Sequence, residues 1–193
     1  LISCSETNKL ENVNKILLFG DSLMSGYGLN ENQALSIILK NDLKEEGYNV
    51  EIINGSISGD TSEDGLDRIK QYTSDSDIDL IVLGLGANDM LRRINPDQTE
   101  SNLRNIIEIL KTNNINIILA GMKASPTNGL AYKKKFDDIF PKLAKEFDLN
   151  FIPFLLKKVA LNPKLNQSDG IHPNYKGVKM ISKTIKESII NLD

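Results

Sequence analysis

Histidine occurs once in the chain, at His172, three residues after Asp169 in the sequence Asp-Gly-Ile-His-Pro. An imidazole next to a carboxylate is a candidate general base whose tautomer is fixed by the acid. Ser22 follows the apolar stretch 16–19 in the sequence Gly-Asp-Ser-Leu. A serine at the end of a buried strand is well placed to act as a nucleophile. These residue types therefore predict hydrolysis through a Ser-His-Asp triad.

Hydrogen-bond donors for an oxyanion are the second requirement of such chemistry. The backbone N–H of Ser22 is one candidate, because it would lie at a helix start. Gly59 is another, since a residue without Cβ lets a substrate approach its N–H closely. The carboxamide of Asn88 is the third. Each motif alone also fits an ordinary capping or loop turn, so the prediction depends on their joint placement.

Five short apolar stretches predict the strands that position these residues. The stretches begin about 30 to 35 residues apart, which is the length of a strand plus a crossover helix. They cover residues 16–19, 50–53, 80–85, 115–120 and 150–152. Amphipathic helical patterns lie between them. This alternation predicts an α/β fold, a three-layer α/β/α sandwich around a flavodoxin-like five-stranded parallel sheet with strand order 2-1-3-4-5.

Ligands of such sheets bind beyond the carboxyl ends of the strands. Ser22 follows the first predicted strand, Gly59 the second and Asn88 the third. Asp169 and His172 follow the fifth strand after a longer excursion. Four separate segments thus deliver polar groups to one edge of the sheet, which favours an enzyme.

Composition limits the other possibilities. A chain of 193 residues fits one domain. With one cysteine and one histidine, the usual ligands of a zinc or iron site are missing, so we expect no metal and no cofactor. The net charge is −3 and the sequence has no basic stripe, so we expect no nucleic-acid partner. Lys133, Lys134 and Lys135 are expected on a solvated helix face, and a monomer is the expected state.

The first four residues, Leu-Ile-Ser-Cys, resemble a bacterial lipobox that ends at Cys4. Residues 5–14 are polar enough to form a flexible tether. The sequence therefore predicts a signal-peptide remnant and tether over 1–14, a hydrolase domain over 15–193, and a periplasmic, cell-envelope location with lipidated Cys4 as a membrane anchor. The alternative is an arbitrary cut point with an inert Cys4.

These motifs resemble those of the SGNH (GDSL) hydrolases, whose blocks are named for Ser, Gly, Asn and His, here Ser22, Gly59, Asn88 and His172. The resemblance runs from residue 15 to the end and is closest to the bacterial thioesterase I, lysophospholipase or arylesterase branch. It implies that Ser22 is the nucleophile, that Asp169 and His172 complete the triad, and that Gly59 and Asn88 help to form the oxyanion hole.

One departure from that branch is Arg92-Arg93, where members often carry Arg-Gly. A second cation near the rim would favour anionic head groups or leaving groups. A solvent-facing arginine with no such role is the alternative. The ratio of the rate on anionic esters to the rate on neutral esters tests this role. An equal ratio in the wild type and in Arg93→Ala would exclude a preference for anionic substrates that depends on Arg93.

The substrates implied by the resemblance are small acyl esters, thioesters with short to medium acyl chains, and lysophospholipids. Leu23, Met24, Met122 and Pro126 are candidates to line an acyl groove. Alternatively, Leu23 and Met24 pack inward. Two other functions stay open: a carbohydrate O-acetylesterase acting on cell-envelope or extracellular glycans, and a lipid- or glycan-binding module without activity. The module would predict a missing triad residue, and none is missing.

Overall fold

The structure, a computed structural model, describes residues 13–73 and 77–192. Its sheet has five parallel strands in the order β2-β1-β3-β4-β5. The strands are β1 Lys15–Gly20, β2 Glu51–Asn54, β3 Leu80–Gly84, β4 Asn116–Ala120 and β5 Asn150–Ile152. The predicted sheet and its order are confirmed.

Burial follows the position of each strand in the sheet. Residues 16–19 of the interior strand β1 have no exposed surface, whereas the edge strand β2 borders only β1 and keeps partly exposed residues. The predicted strand bounds differ from the observed ones by at most one residue at each end. Polar neighbours such as Lys15 and Asn54 continue the ladder, and Leu85 has already left it.

Seven helices are described: α1 Ser22–Ser25, α2 Leu35–Glu45, α3 Ser62–Arg68, α4 Ala87–Leu91, α5 Pro96–Thr112, α6 Leu130–Phe147 and α7 Tyr175–Ile190. Helix α2 packs against α7, while α3 packs against α5 and α5 against α6. Right-handed crossovers place these two groups on opposite faces of the sheet. The three-layer α/β/α sandwich is therefore confirmed.

Because all strands are parallel, the segments that follow them leave the sheet on one side. We call this side the carboxyl edge; it comprises residues 21–34, 55–61, 85–95, 121–129 and 153–174. Within the described ranges, no helix has the length and apolar character needed to cross a membrane. The expectations for residues 1–12, including Cys4, fall outside the described residues and stay predictions.

Candidate active site

The turn between β1 and α1 presents Ser22 at the carboxyl edge. Asp21 caps α1, since its Oδ1 accepts a hydrogen bond of 3.0 Å from the backbone N–H of Leu23. Gly26 ends the helix in the left-handed conformation, with φ at 92°. The turn leaves Ser22 partly exposed as the first residue of the helix.

His172 meets Ser22 across 150 positions of the chain. The Nε2 atom of His172 lies 3.0 Å from Oγ of Ser22. Its Nδ1 atom lies 2.7 Å from Oδ2 of Asp169. The structure therefore brings the three predicted residues together in the order hydroxyl, imidazole, carboxylate. In that order the carboxylate favours the tautomer that leaves Nε2 free to accept a proton.

Asp169 is held ionised by the turn it belongs to. Its Oδ1 accepts hydrogen bonds from the backbone N–H groups of Ile171 at 2.8 Å and His172 at 2.9 Å. The hydrogen bond to the His172 side chain, followed by these backbone donors, lowers the pKa of Asp169 to about 2. A carboxylate is thus available to orient the imidazole throughout the neutral range.

Gln167 and Tyr27 join the His172 loop to the segment after α1, and sequence reasoning missed both residues. The Gln167 side chain donates from Nε2 to the carbonyls of Tyr27 at 2.9 Å and Pro173 at 3.0 Å. The Tyr27 ring lies against the His172 imidazole, with ring centroids 4.4 Å apart. No local pattern signals this contact, because Gln167 and Tyr27 are 140 residues apart.

Arg68 ties the segment after β2 to the end of β1. Its guanidinium donates to Oδ2 of Asp60 at 2.6 Å and to the carbonyls of Gly55 at 2.6 Å and Gly20 at 3.2 Å. It also lies 3.9 Å above the centre of the Phe19 ring. A buried arginine with this many partners fixes the loop that carries Gly59.

The predicted oxyanion donors lie on segments that are linked to one another. Nδ2 of Asn88 donates to the carbonyl of Asp60 at 2.9 Å, which leaves one of its two protons for another acceptor. Gly59 has φ at 91°, a conformation that glycine adopts without strain. Within the part of the chain that the structure describes, the backbone N–H groups of Ser22 and Gly59 donate to no carbonyl or side chain.

Asp89, next to Asn88, is fully buried and was not predicted as part of the site. Its carboxylate accepts from the backbone N–H of Ser62 at 2.8 Å, from the Ser62 hydroxyl at 2.5 Å and from the Thr99 hydroxyl at 3.0 Å. The carboxylate therefore joins the starts of α3, α4 and α5. Through this network, the loop that bears Gly59 keeps its place beside Asn88.

Asp21 is the second buried carboxylate near the nucleophile. Burial raises its pKa to about 7, and the nearby carboxylates of Asp89 and Asp60 add to this effect, whereas His172 and the Leu23 N–H oppose it. Among the described residues, its Oδ2 has no hydrogen-bond partner. A buried carboxyl without a partner for one oxygen favours the protonated form.

We expect Asp21→Asn to remove a pH dependence of stability. Between the ordinary pKa of 3.8 and the raised value of about 7, folded Asp21 keeps a proton that the unfolded chain has lost. The contribution of the protonated carboxyl to the free energy of unfolding is fully present at acid pH. It is lost as the pH rises from 3.8 to about 7. Between about pH 5 and pH 8 the wild type should therefore lose free energy of unfolding that the variant keeps. The difference, variant minus wild type, should increase by about 3 kcal/mol at most.

Urea unfolding at both pH values measures this difference. The exposed Asp138→Asn in α6 is the matched control, since it removes a carboxylate that faces solvent. Parallel pH profiles of the Asp21 variant and the wild type would contradict the prediction.

Three of the four residues expected to line an acyl groove are buried. Met24 has no exposed surface, because its sulfur packs where side chains on Gly20 and Gly84 would otherwise lie. The expectation for Met24 is therefore wrong, and the inward-packing alternative holds. Leu23 and Met122 keep only 6% and 3% of their surface, so they too belong to the core. Pro126 alone is exposed.

Arg92 and Arg93 are both exposed and reach in different directions from the end of α4. Arg92 donates to the carbonyl of Gly59 at 2.8 Å, and Arg93 donates to the carbonyl of Thr127 at 3.2 Å. Arg93 has φ at 54°, a conformation uncommon outside glycine. Each guanidinium is thus held beside a loop of the carboxyl edge, and the preference for anionic substrates stays a prediction.

Sequence comparison assigns the chain to a family. Residues 18–180 match the GDSL-like lipase/acylhydrolase family. The chain belongs to this family. The arylesterase of Vibrio mimicus is 35% identical to this GDSL hydrolase over 176 residues, which cover 91% of the chain and 88% of the relative. Thioesterase 1/protease 1/lysophospholipase L1 of Escherichia coli K12 is 38% identical, with 82% and 75% covered.

Solved structures agree with this assignment. Psychrotrophic esterase EstA from Pseudoalteromonas sp., in a crystal structure inhibited by monoethylphosphonate, superposes with a TM-score of 0.86 at 28% identity. The alignment covers 91% of this GDSL hydrolase and 96% of that chain. The family and its relatives thus place the chain among the serine hydrolases that act on ester bonds. Among the described residues, no group of three histidine, cysteine, aspartate or glutamate side chains could hold a metal.

Proposed function

We propose that this chain hydrolyses carboxylic esters and thioesters with short to medium acyl chains through a Ser-His-Asp triad and an acyl-enzyme. The observation that carries the proposal is the continuous contact of Ser22 Oγ with His172 Nε2 at 3.0 Å and of His172 Nδ1 with Asp169 at 2.7 Å. These distances fall within the hydrogen-bond reach that base-assisted attack requires.

Acylation begins when Ser22 Oγ attacks the substrate carbonyl carbon and gives its proton to Nε2 of His172. The tetrahedral intermediate then collapses. The bond from carbon to the alcohol or thiol breaks, and the leaving group takes the proton from Nε2. Only a neutral imidazole can accept the first proton, and the contact of Nδ1 with Asp169 leaves Nε2 as the accepting atom.

Deacylation repeats these steps with water as the nucleophile. Water gives a proton to Nε2 and attacks the acyl carbon, after which the bond to Ser22 Oγ breaks, Oγ regains the proton and the acid leaves. In both halves the oxyanion would accept hydrogen bonds from the N–H groups of Ser22 and Gly59 and from the carboxamide of Asn88. Donors fixed in advance lose little energy to reorganisation, which is why they stabilise the transition state.

Asn88→Ala is expected to lower kcat by about 10²- to 10³-fold with little change in KM, because the lost donor acts on the transition state and not on the bound ester. Steady-state kinetics on p-nitrophenyl butyrate measure kcat and KM separately. Asn105→Ala on α5, which removes an exposed carboxamide, is the control. A rise in KM with kcat unchanged would show that Asn88 only binds substrate.

The substrate class is inferred from the relatives. One is named an arylesterase and another a thioesterase 1 and lysophospholipase L1. The phosphonate-inhibited structure of a third supports a serine nucleophile, since phosphonates react with activated serines. Chain length is a finer question, because one methylene changes discrimination by only about 1–3 kcal/mol.

A fluorophosphonate probe tests the nucleophile directly. We expect a covalent adduct on the peptide that contains Ser22, and equal labelling of Ser22→Ala would overturn the assignment. A panel that crosses acyl length with ester, thioester and lysophospholipid head groups tests the substrate. Faster hydrolysis of acetylated xylan or peptidoglycan than of any member of the panel would replace the proposal with a carbohydrate O-acetylesterase.

We also propose an envelope location with a lipid on Cys4. Support for it comes from the lipobox-like residues 1–4 alone.

A further inference from the structure

The exposed large apolar side chains of the described residues all lie at one end of the molecule. Each belongs to the carboxyl edge or to the first turn of a helix that begins there. They are Tyr27, Ile37, Ile57, Leu91, Leu130, Leu161, Ile171 and Tyr175. At the opposite edge, the apolar residues Val50, Ile78 and Ile115 are buried.

Single exposed apolar residues are common on soluble proteins, so their distribution is the informative feature. Leu161 is 92% exposed and Leu130 is 82% exposed, and neither packs in the core. The two residues come from the segments after β5 and β4, which are neighbouring strands. Covering a face that concentrates such side chains with an apolar phase lowers the free energy, because apolar surface is removed from water.

The segment after β5, which carries Leu161, is positively charged. Residues 153–168 contain Lys157, Lys158 and Lys164 and no carboxylate, although the whole chain has a net charge of −3. Within the described ranges, these three lysines form no salt bridge. Lys123, after β4, lies 5.8 Å from the centre of the Phe154 ring and so joins the two loops.

The acidic groups of the edge lie mainly on other segments. Glu31 follows α1, and Glu63 and Asp64 lie in the first turn of α3. The Asp169 carboxylate is engaged by His172. The segments after β4 and β5 therefore combine lysines outside any salt bridge of the described residues with largely exposed leucines, a combination that is complementary to an anionic lipid surface.

We propose that the carboxyl edge docks on an anionic lipid surface, with Leu130 and Leu161 entering the interface and Lys157, Lys158 and Lys164 facing the head groups. Apolar side chains on separate segments suit a fluid surface, because each can enter it without a shaped partner. The orientation would turn Ser22 toward the lipid, so that an acyl chain reaches the nucleophile directly. Docking goes beyond the proposed hydrolysis and does not require it.

Vesicle sedimentation with the Ser22→Ala chain tests the docking while hydrolysis is absent, so failure of the proposed chemistry cannot be mistaken for failure of docking. Cys4 is changed to Ser in every sample to exclude an attached lipid. The vesicles contain phosphatidylcholine alone or with about a third phosphatidylglycerol. We expect binding to the mixed vesicles and at least about tenfold weaker binding to phosphatidylcholine alone.

Two variants locate the surface. Leu161→Asp, and separately the pair Lys157→Gln and Lys158→Gln, should each weaken binding to mixed vesicles by about tenfold or more. The matched control is Lys44→Gln with Lys145→Gln, which removes two exposed lysines from the last turns of α2 and α6 at the opposite edge. In the active chain, all of these variants should hydrolyse p-nitrophenyl acetate at the wild-type rate.

Several outcomes overturn the proposal. These are absence of binding to mixed vesicles, equal binding to both kinds of vesicle, and equal losses in the test and control pairs. A dimer in solution that Leu161→Asp abolishes would also overturn it, since the apolar face would then be covered by a second copy of the chain.

Discussion

Ser22→Ala is expected to lower kcat on p-nitrophenyl butyrate by about 10⁵- to 10⁶-fold, and His172→Ala by a similar factor. The reason is that the hydroxyl and the imidazole act as a unit through their 3.0 Å contact, so loss of either group removes the activated nucleophile. Steady-state kinetics of the purified variants measure the loss.

Two comparisons sharpen this result. Ser25→Ala removes a hydroxyl from the same short helix and should keep wild-type kinetics. The double variant should be no slower than either single variant, since members of one catalytic unit are strongly non-additive. A kcat within about tenfold of wild type in Ser22→Ala would remove the triad from the mechanism.

Asp169→Asn is expected to lower kcat by about 10⁴-fold while the fold is retained. Asparagine can still accept the backbone N–H groups of Ile171 and His172 through Oδ1. Its amide, however, would donate to Nδ1 of His172, where the carboxylate now accepts. The imidazole would then carry its proton on Nε2 and could not accept the Ser22 proton.

Kinetics and circular dichroism of this variant separate chemistry from folding. Asp138→Asn again serves as the control, because it changes the net charge equally on an exposed helix face. A loss of less than about tenfold would mean that His172 keeps its productive tautomer without help from Asp169.

Much of the fold was predictable because periodicity reports local structure. The unbroken apolar residues 16–19 predicted a buried strand, and the even spacing of five such stretches predicted parallel strands joined by helices. Right-handed crossovers then reduced the topologies to the observed strand order. Strand ends were less predictable, since Lys15 and Asn54 pair in the sheet without any apolar signal.

Parts of the site escaped prediction for a different reason. The sequence left Met24 either lining an acyl groove or packing inward. The glycines at the ends of β1 and β3 open a space in the core that its side chain fills. Arg68, Asp89 and Gln167 carry no recognisable motif, and their roles come from partners on other segments. Such contacts depend on how loops pack and not on the residues next to them.

Local apolar patterns and chain connectivity were enough to predict the type of sheet, its strand order and the edge at which Ser22, Gly59, Asn88 and His172 gather. The folded domain was needed to show that Ser22 and His172 are within hydrogen-bond reach and that Gln167 joins their loops. Residues 140 or 150 positions apart are brought to such distances by the packing of the whole domain, which no local pattern encodes.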